Sequence, residues 1–389
     1  MNRLILFLSF SFIIFSCKAQ PGDPQAPIKV GAERFDQYIP LLESQSAGLV
    51  VNQTSIVGNT HLVDTLKALG VDIKKVFAPE HGFRGQADAG EVVKDGIDTR
   101  TQLPIISLYG KNKKPSADQL ADIDVVIFDI QDVGARFYTY ISTMHYVMEA
   151  AAENKKKVLI LDRPNPNGMY VGGPVLEEEF SSFVGMHPIP IVHGLTVGEL
   201  AQMINEEGWL ENGAKADIEI VKCENYNHKM SYSLPVKPSP NLPNDLSIKI
   251  YPSLCLFEGT VISVGRGTYA PFQQIGHPDF EGMPHQFTPK SIEGMSKYPK
   301  HEGETCYGHL FEEQNATRAF DIQYLIDYYN LYNGKEPFFN AFFNKLAGNA
   351  TLQQQIVEGK IKSEIEASWQ AELNRYKLMR NNYLLYPDF

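Results

Sequence analysis

The sequence predicts an α/β protein with a mostly parallel sheet, followed by a smaller C-terminal α/β domain. Strand-like and helix-like segments alternate from about residue 28, and this alternation is typical of βαβ units. Thr196 is followed by Glu199 three residues later, which is the capping box that begins a helix. A length of 389 residues, of which 43% are hydrophobic, is sufficient for two domains.

The elements follow from apolar runs and their spacing. Strands are predicted at 48–52, 73–78, 105–109, 125–130, 157–161 and 217–221. The predicted helices between them are 61–69, 116–121, 138–153 and 196–207. Four prolines between Leu234 and Pro243 favour an extended connector, so the two domains are expected to be 28–235 and 236–389. The second domain is predicted to contain a strand at 260–264 and helices at 321–332, 336–346, 351–358 and 361–380.

The N-terminus has the features of an export signal. Arg3 precedes an apolar segment at 4–15, which is too short to span a membrane. Residues 1–16 therefore read as a signal peptide of the lipoprotein type, with Cys17 lipidated and 17–27 as a tether; ordinary secretion is the alternative. We expect a periplasmic protein that contacts the membrane only through its lipid.

Charge and cysteine content exclude several classes of function. The formal charge is −11 without a Lys/Arg-rich block, so the electrostatic signature of nucleic-acid binding is missing. Cys223, Cys255 and Cys306 match no metal motif and are expected to be buried thiols, with one disulfide as the alternative. Neither a P-loop nor a GxGxxG motif occurs, and we expect no cofactor and no metal.

The segment Pro79-Glu80-His81-Gly82 ends a predicted buried strand. In open parallel sheets, ligands bind beyond the carboxyl ends of the strands. Glu80 beside His81 is therefore a candidate proton-transfer pair. The alternatives are that Glu80 caps a turn or pairs with Arg84, itself a candidate substrate-binding residue.

Further polar groups follow other predicted strands and indicate a cleft for a polyhydroxylated ligand. Asp129 and Asp132 are candidate catalytic carboxylates, although Asp132 could instead pair with Arg136. Tyr138 could stack on a sugar or pack in the core, and Asp162 could pair with Arg163. The candidate ligand-binding residues are Asn52, Gln131, Arg136, Tyr138, Asp162, Arg163, Asn165, His193, Glu258 and Arg266. Arg266 lies in a glycine-flanked loop whose backbone N–H groups could bind an anion.

Taken together, these motifs resemble the exo-β-N-acetylmuramidase family typified by NamZ. The resemblance covers residue 41 to the C-terminus and is carried by 52–55, 77–84, 98–101, 103–105, 129–140, 161–165, 173–176, 187–198 and 254–268. It implies a Rossmann-like domain, a smaller α/β domain, and an active cleft between them. It also implies removal of terminal, non-reducing β-1,4-linked N-acetylmuramic acid from peptidoglycan fragments, with the family's glutamate at Glu80.

The residue chemistry agrees with a glycosidase that acts on peptidoglycan-derived saccharides. Glycoside cleavage needs an acid and usually a second carboxylate, for which Asp129 and Asp132 are the candidates. The lactyl carboxylate of muramic acid calls for a cation, and Arg136 and Arg266 are the candidates. The alternatives are an esterase or amidase, or a sugar-binding lipoprotein without catalysis; no Gly-x-Ser-x-Gly motif supports the former. Oligomeric state cannot be predicted from these patterns.

Overall fold

The computed structural model describes residues 26–84 and 95–389. The predicted signal peptide, Cys17 and most of the tether lie outside these residues, as does the segment directly after Arg84. No helix within the described ranges is long and apolar enough to cross a membrane.

A seven-stranded sheet forms the centre of the N-terminal half. Six strands are parallel, and Gly96–Ile97 is antiparallel at one edge. The chain adds strands first on one side of Ser46–Val51 and then on the other, so the sheet has a topological switch point beside this strand. The predicted parallel sheet is confirmed, in the spatial order Asp217–Val221, Lys157–Leu161, Val125–Asp129, Ser46–Val51, Asp72–Ala78, Pro104–Ser107 and Gly96–Ile97.

Both faces of the sheet are covered, which explains why its central strands Ser46–Val51, Val125–Asp129 and Lys157–Leu161 are almost continuous apolar runs. Val126 and Phe128 pack in one hydrophobic cluster with the long helix Tyr140–Glu153, whereas Ile127 packs in another with Leu62–Ala68. The capping box is confirmed, because Thr196 Oγ1 accepts from Glu199 N at the start of Val197–Glu206. The remaining short helices of this half are Phe35–Tyr38 and Ala117–Leu120.

The C-terminal half begins with the helix Asp245–Leu254 and contains an antiparallel sheet of three strands, Gln274–His277, Cys306–Leu310 and His285–Phe287. The prediction of a strand at 260–264 is wrong, because this segment forms only isolated β-bridges. Its carbonyls at Thr260 and Ile262 instead accept from Lys300 Nζ. The later helices are Gln323–Leu331, Phe343–Ala347, Thr351–Val357, Lys362–Ser368 and Gln370–Arg380, so the expected helix at 361–380 is divided at Trp369.

Two β-hairpins and several short 3₁₀ turns complete the chain. The hairpins are Ile56–Val57 with Thr60–His61 and Gly172–Val175 with Pro190–Val192. The 3₁₀ turns are Gly31–Glu33, Ile39–Leu42, Glu178–Phe180, Glu211–Gly213, Cys255–Gly259 and Asn381–Tyr383.

The two halves share one hydrophobic core, and the end of the chain returns to the N-terminal half. Arg380 donates to Gly194 O, and Tyr386 OH donates to Asp162 Oδ2 at 2.6 Å. Cys223, Cys255 and Cys306 are buried free thiols, as expected. The seam between the halves is therefore a packed interface in which a cleft has fixed walls.

Candidate active site

A tight turn presents Glu80 at the carboxyl end of Asp72–Ala78. Gly82 N donates to Pro79 O at 3.0 Å, and His81 has a φ of +68°. A side chain other than glycine is uncommon in this left-handed region, and such strain concentrates at functional sites. The strained turn is thus the first structural indication of a site at this position.

Three hydroxyl groups hold Glu80 in one orientation. Tyr109 OH donates to Oε1 at 2.9 Å, and Thr139 Oγ1 donates to Oε2 at 3.2 Å. Tyr140 OH donates to the backbone oxygen of Glu80 at 3.3 Å. Burial, together with the Glu80 carboxylate, raises the pKa of Tyr109 above its usual value. The phenol therefore remains a proton donor to a partly exposed carboxylate.

Glu80 lines a cavity of about 150 Å³ between the two halves of the molecule. One wall comes from the strand-end turn and the segment before the long helix, and the other comes from the C-terminal half. The aromatic lining suits the apolar face of a sugar ring. The lining residues are Glu80, His81, Phe137, Tyr138, Thr139, Tyr140, Val184, Ser239, Leu242, Tyr251, Cys255, Glu258, Arg266, Phe272, Phe342 and Leu346.

The opposite wall carries a carboxylate and a cation. Arg266 Nη2 donates to Glu258 Oε2 at 3.0 Å, and its guanidinium lies 5.0 Å from the centroid of the Phe272 ring. Cys255 Sγ is 4.0 Å from the same carboxylate oxygen, and burial raises the pKa of this thiol. The cavity thus has an acidic group on each wall and one guanidinium beside the second acid.

A buried lysine anchors the loop that carries Glu258. Lys300 Nζ donates to Ile262 O at 3.0 Å, to Phe257 O at 3.4 Å and to Thr260 O. Burial lowers the pKa of Lys300 to about 8. Because the three carbonyls lie on both sides of Glu258, the ammonium fixes the backbone of this wall.

Five of the residues predicted from sequence meet in this cavity: Glu80, His81, Tyr138, Glu258 and Arg266. Tyr138 OH donates to Pro238 O at 2.8 Å, and its ring contacts Tyr251 edge-on with centroids 6.1 Å apart. The core-packing alternative therefore describes Tyr138 better than a free stacking platform. The alternative in which Glu80 pairs with Arg84 is not observed. Arg84 instead binds Asp98 at 2.8 Å.

Asp129 and Asp162, two of the predicted strand-end acids, form contacts in the protein interior. Arg163 Nε lies 2.6 Å from Asp129 Oδ1, with both side chains at most 2% exposed. The side chain of Arg163 thus pairs with Asp129 and not with Asp162. Asp162 accepts from Thr196 Oγ1 and from Tyr386 OH, and burial raises its pKa to about 6. Neither acid lines the cavity.

Arg136 and Asp132 do not form the salt bridge considered from the sequence. Arg136 is fully buried and donates to four backbone oxygens, those of Pro174, Ile189, Leu346 and Ala347. Burial lowers its pKa to about 9. Its donors therefore join the two halves instead of facing a ligand.

Asp132 is held within the N-terminal half. Its Oδ2 accepts from Gly134 N at 2.7 Å and lies 3.4 Å from His193 Nε2. Both side chains are buried, and neither lines the cavity.

The predicted amide ligands are also used internally. Asn52 Oδ1 accepts from Thr54, and Gln131 Nε2 donates to the carbonyls of Asp132 and Pro164. Asn165 Nδ2 donates to Leu195 O at 2.8 Å. Gln131 N also donates to Thr54 Oγ1, so these contacts connect the loops after Ser46–Val51, Val125–Asp129 and Lys157–Leu161, and none of the three amides lines the cavity.

Tyr109 and Thr139 were missed from sequence, although both contact Glu80. Tyr109 follows the strand Pro104–Ser107 and obeys the same strand-end rule that identified Glu80. Thr139 lies between Tyr138 and Tyr140, just before the long helix. No pattern in the sequence pairs these hydroxyls with residue 80.

Among the described residues, a group with metal-ligand geometry forms at Glu149, Glu153 and Glu211. Lys114 Nζ already lies 2.8 Å from Glu149 Oε1 and 2.7 Å from Glu153 Oε1. The lysine charge offsets these acids, and none of them lines the cavity.

Acids on both walls of an aromatic-lined cleft are the arrangement that glycosidases use to cleave a sugar linkage. Family models for the N-terminal and C-terminal parts of exo-β-N-acetylmuramidase NamZ match residues 47–246 and 249–386. The chain belongs to the exo-β-N-acetylmuramidase NamZ family and is a glycosidase.

Relatives support this assignment along most of the chain. The peptidoglycan β-N-acetylmuramidase NamZ of Bacillus subtilis (strain 168) is 39% identical over 374 residues, which cover 90% of this chain and 89% of the relative. A DUF1343 family protein of Bacteroides fragilis NCTC 9343 is 44% identical with a TM-score of 0.87, covering 94% of this chain and 100% of that one. A second such protein of that organism is 29% identical with a TM-score of 0.78, covering 93% and 100%.

Proposed function

We propose that this glycosidase is an exo-β-N-acetylmuramidase that releases terminal, non-reducing β-1,4-linked N-acetylmuramic acid from peptidoglycan fragments. The observation that carries the proposal is Glu80, a partly exposed carboxylate fixed by Tyr109 and Thr139 in a ring-lined cavity. The name of the Bacillus subtilis relative supports the same substrate.

Glu80 is the general acid that protonates the leaving glycosidic oxygen, with His81 beside it on the same wall. Glu258 replaces Asp129 and Asp132 as the second carboxylate, because it lines the cavity from the opposite domain. A second acid across the sugar ring is the usual arrangement in both retaining and inverting glycosidases.

Arg266 is the cation for the lactyl carboxylate of muramic acid, a group that N-acetylglucosamine lacks. Its guanidinium lies on the cavity wall between Glu258 and the Phe272 ring. Planar N–H donors suit a carboxylate, and a guanidinium keeps its charge when water is displaced. Arg136, the other candidate, is occupied by backbone oxygens.

A pair of disaccharides tests the exo-acting reaction. MurNAc-β-1,4-GlcNAc should be split into monosaccharides, whereas GlcNAc-β-1,4-MurNAc should remain intact because its non-reducing sugar lacks the lactyl group. Equal cleavage of both would exclude the proposed specificity. Saturable binding of the first disaccharide without any cleavage would favour the sugar-binding lipoprotein instead.

We also propose that the protein is located in the periplasm and is lipidated at Cys17. In cells fed radioactive palmitate, the wild-type protein should become labelled and fractionate with membranes, whereas Cys17→Ser should be unlabelled. Equal labelling of the two proteins would contradict a lipid anchor at Cys17.

A further inference from the structure

A second cavity, of about 220 Å³, lies at another point of the seam between the two halves. One side follows the strand Gly172–Val175, and the other is built by the C-terminal helices around Trp369. Its lining residues are Pro174, Val175, Leu176, Glu177, Asn349, Thr351, Leu352, Gln355, Ser368, Trp369 and Glu372. None of them belongs to the cavity around Glu80.

Three side chains of this cavity are more than nine-tenths buried, yet each keeps an N–H donor for a ligand. Asn349, Gln355 and Trp369 are 5%, 8% and 7% exposed. Within the described part of the chain, their Nδ2, Nε2 and Nε1 atoms have no hydrogen-bond partner, and none of these atoms is sealed from solvent. Because these donors open onto the cavity and have no partner in the described part of the protein, they are available to hydrogen-bond a ligand that enters it.

The orientation of both amides is fixed by the protein. Asn349 Oδ1 accepts from Leu352 N at 2.9 Å, and Gln355 Oε1 accepts from Ser368 Oγ at 3.2 Å. Because the oxygen of each amide is already bonded, its NH₂ end is the one left for a ligand. The cavity therefore presents donors beside one indole ring.

The charges around the cavity select a neutral ligand. Glu177 and Glu372 are exposed carboxylates of the lining, and no lysine or arginine is among the described residues that form it. Arg375, outside the lining, pairs with Glu372, whereas Glu177 has no cationic partner among the described residues. An anion such as muramic acid would be repelled, whereas hydroxyl and acetamido oxygens would accept from the three donors. An N-acetylhexosamine combines such oxygens with apolar C–H faces for the indole ring.

The two cavities are neighbours across Arg136. Its Nη1 donates at 2.9 Å to the carbonyl of Pro174, which lines the second cavity, and its Nη2 donates at 2.9 Å to that of Leu346, which lines the first. We propose that the second cavity is an accessory saccharide site that binds neutral N-acetylglucosamine units of the glycan. The choice of this glycan rests on the proposed function, whereas the donor-lined cavity does not.

Tryptophan fluorescence provides the test, because the chain has only two tryptophans. Trp209→Phe leaves Trp369 as the reporter in the full-length protein. The probe is chitotriose, a neutral N-acetylglucosamine trimer without muramic acid. We expect a saturable change in Trp369 emission; unchanged emission up to the solubility limit of chitotriose would overturn the proposal.

Two near-isosteric variants remove the donors while keeping the internal acceptor oxygens. In the Trp209→Phe background, Asn349→Asp and Gln355→Glu should each raise the half-saturating chitotriose concentration about tenfold or more, through the lost donor and the added negative charge. Gln354→Glu makes the same charge change on the exposed side of the same helix and should bind as the parent does. Unaltered binding by both cavity variants would overturn the proposal.

Cleavage and binding assays on the same variants distinguish the accessory site from the proposed function. Asn349→Asp and Gln355→Glu should still split MurNAc-β-1,4-GlcNAc, and Glu80→Gln should still bind chitotriose. If Glu80→Gln abolishes the emission change, the trimer binds in the first cavity and the accessory site is excluded. Chitotriose binding by a wild-type protein that cleaves no muramic acid glycoside would instead reject the proposed function and leave the accessory site standing.

Discussion

The acid at the cavity and the acids buried in the interior follow the same pattern in the sequence but have different surroundings. Glu80 and Asp129 both come at the carboxyl end of a parallel strand, where the sequence predicts ligand chemistry. Asp129 is neutralised by Arg163 in the interior, whereas Glu80 receives uncharged hydroxyl donors and faces the cavity. Access to the cavity, more than position at a strand end, separates a candidate catalytic acid from a structural one.

The largest expected effect is on turnover by Glu80→Gln. Loss of the general acid should reduce kcat for MurNAc-β-1,4-GlcNAc by about 10²–10⁴-fold. The melting temperature should hardly change, because glutamine keeps the shape and can still bind the neighbouring hydroxyls. Glu43→Gln makes the same change at an exposed residue outside the cavity, so this control variant should retain full activity. Normal turnover by Glu80→Gln would refute the assignment.

Asp129→Ala should affect stability instead of chemistry. Removal of one partner leaves the Arg163 charge buried and unpaired, which typically costs about 3–5 kcal/mol of unfolding free energy. Urea denaturation followed by circular dichroism measures this loss. Asp217→Ala, at an exposed strand start, should change the unfolding free energy by less than about 0.5 kcal/mol. A fully stable Asp129→Ala protein that has lost turnover would place Asp129 in the chemistry after all.

Arg266→Met extends the comparison to the arginines, one of which lines the cavity while others do not. If Arg266 contacts the lactyl carboxylate, its loss should reduce the preference for muramic acid over N-acetylglucosamine glycosides by about 1.5–3 kcal/mol, roughly 10–150-fold in kcat/KM. Arg84→Met is the matched control, because Arg84 binds Asp98 and does not line the cavity. An unchanged preference in Arg266→Met would move the anion site elsewhere.

Tyr109→Phe should have the smallest effect. It removes one hydrogen bond to Glu80 Oε1 and leaves the ring in place, so about 1 kcal/mol, or roughly a fivefold loss of kcat, is expected. KM should change little because the phenol orients the acid and not the sugar. Tyr298→Phe, at a strongly exposed ring, is the control. A loss in Tyr109→Phe as large as that in Glu80→Gln would mean that the phenol itself takes part in proton transfer.

Much of the N-terminal sheet could be predicted because its strands are buried on both faces and read as uninterrupted apolar runs. The prediction of a strand at 260–264 was wrong for a reason that the local sequence does not show. Lys300, some 40 residues later, donates hydrogen bonds to the carbonyls of Thr260 and Ile262. The break at Trp369 was likewise invisible in a segment with continuous helical spacing.

The candidate site was predictable only in part. Glu80 stands at a strained turn with a strong local signature, and Glu258 with Arg266 lies in a distinctive loop. The partners of Asp129, Arg136 and Asp162 depend on tertiary contacts, several of them with the C-terminal half of the chain. The local sequence therefore does not show which of the acids will be paired inside the folded protein.

The most direct test is a crystal structure of Glu80→Gln with intact MurNAc-β-1,4-GlcNAc. We predict that the muramic acid ring occupies the cavity between the two domains, with its glycosidic oxygen within hydrogen-bond distance of the side chain at position 80 and its lactyl group beside Arg266. A disaccharide bound elsewhere, or bound with the side chain at position 80 remote from the glycosidic oxygen, would contradict the account.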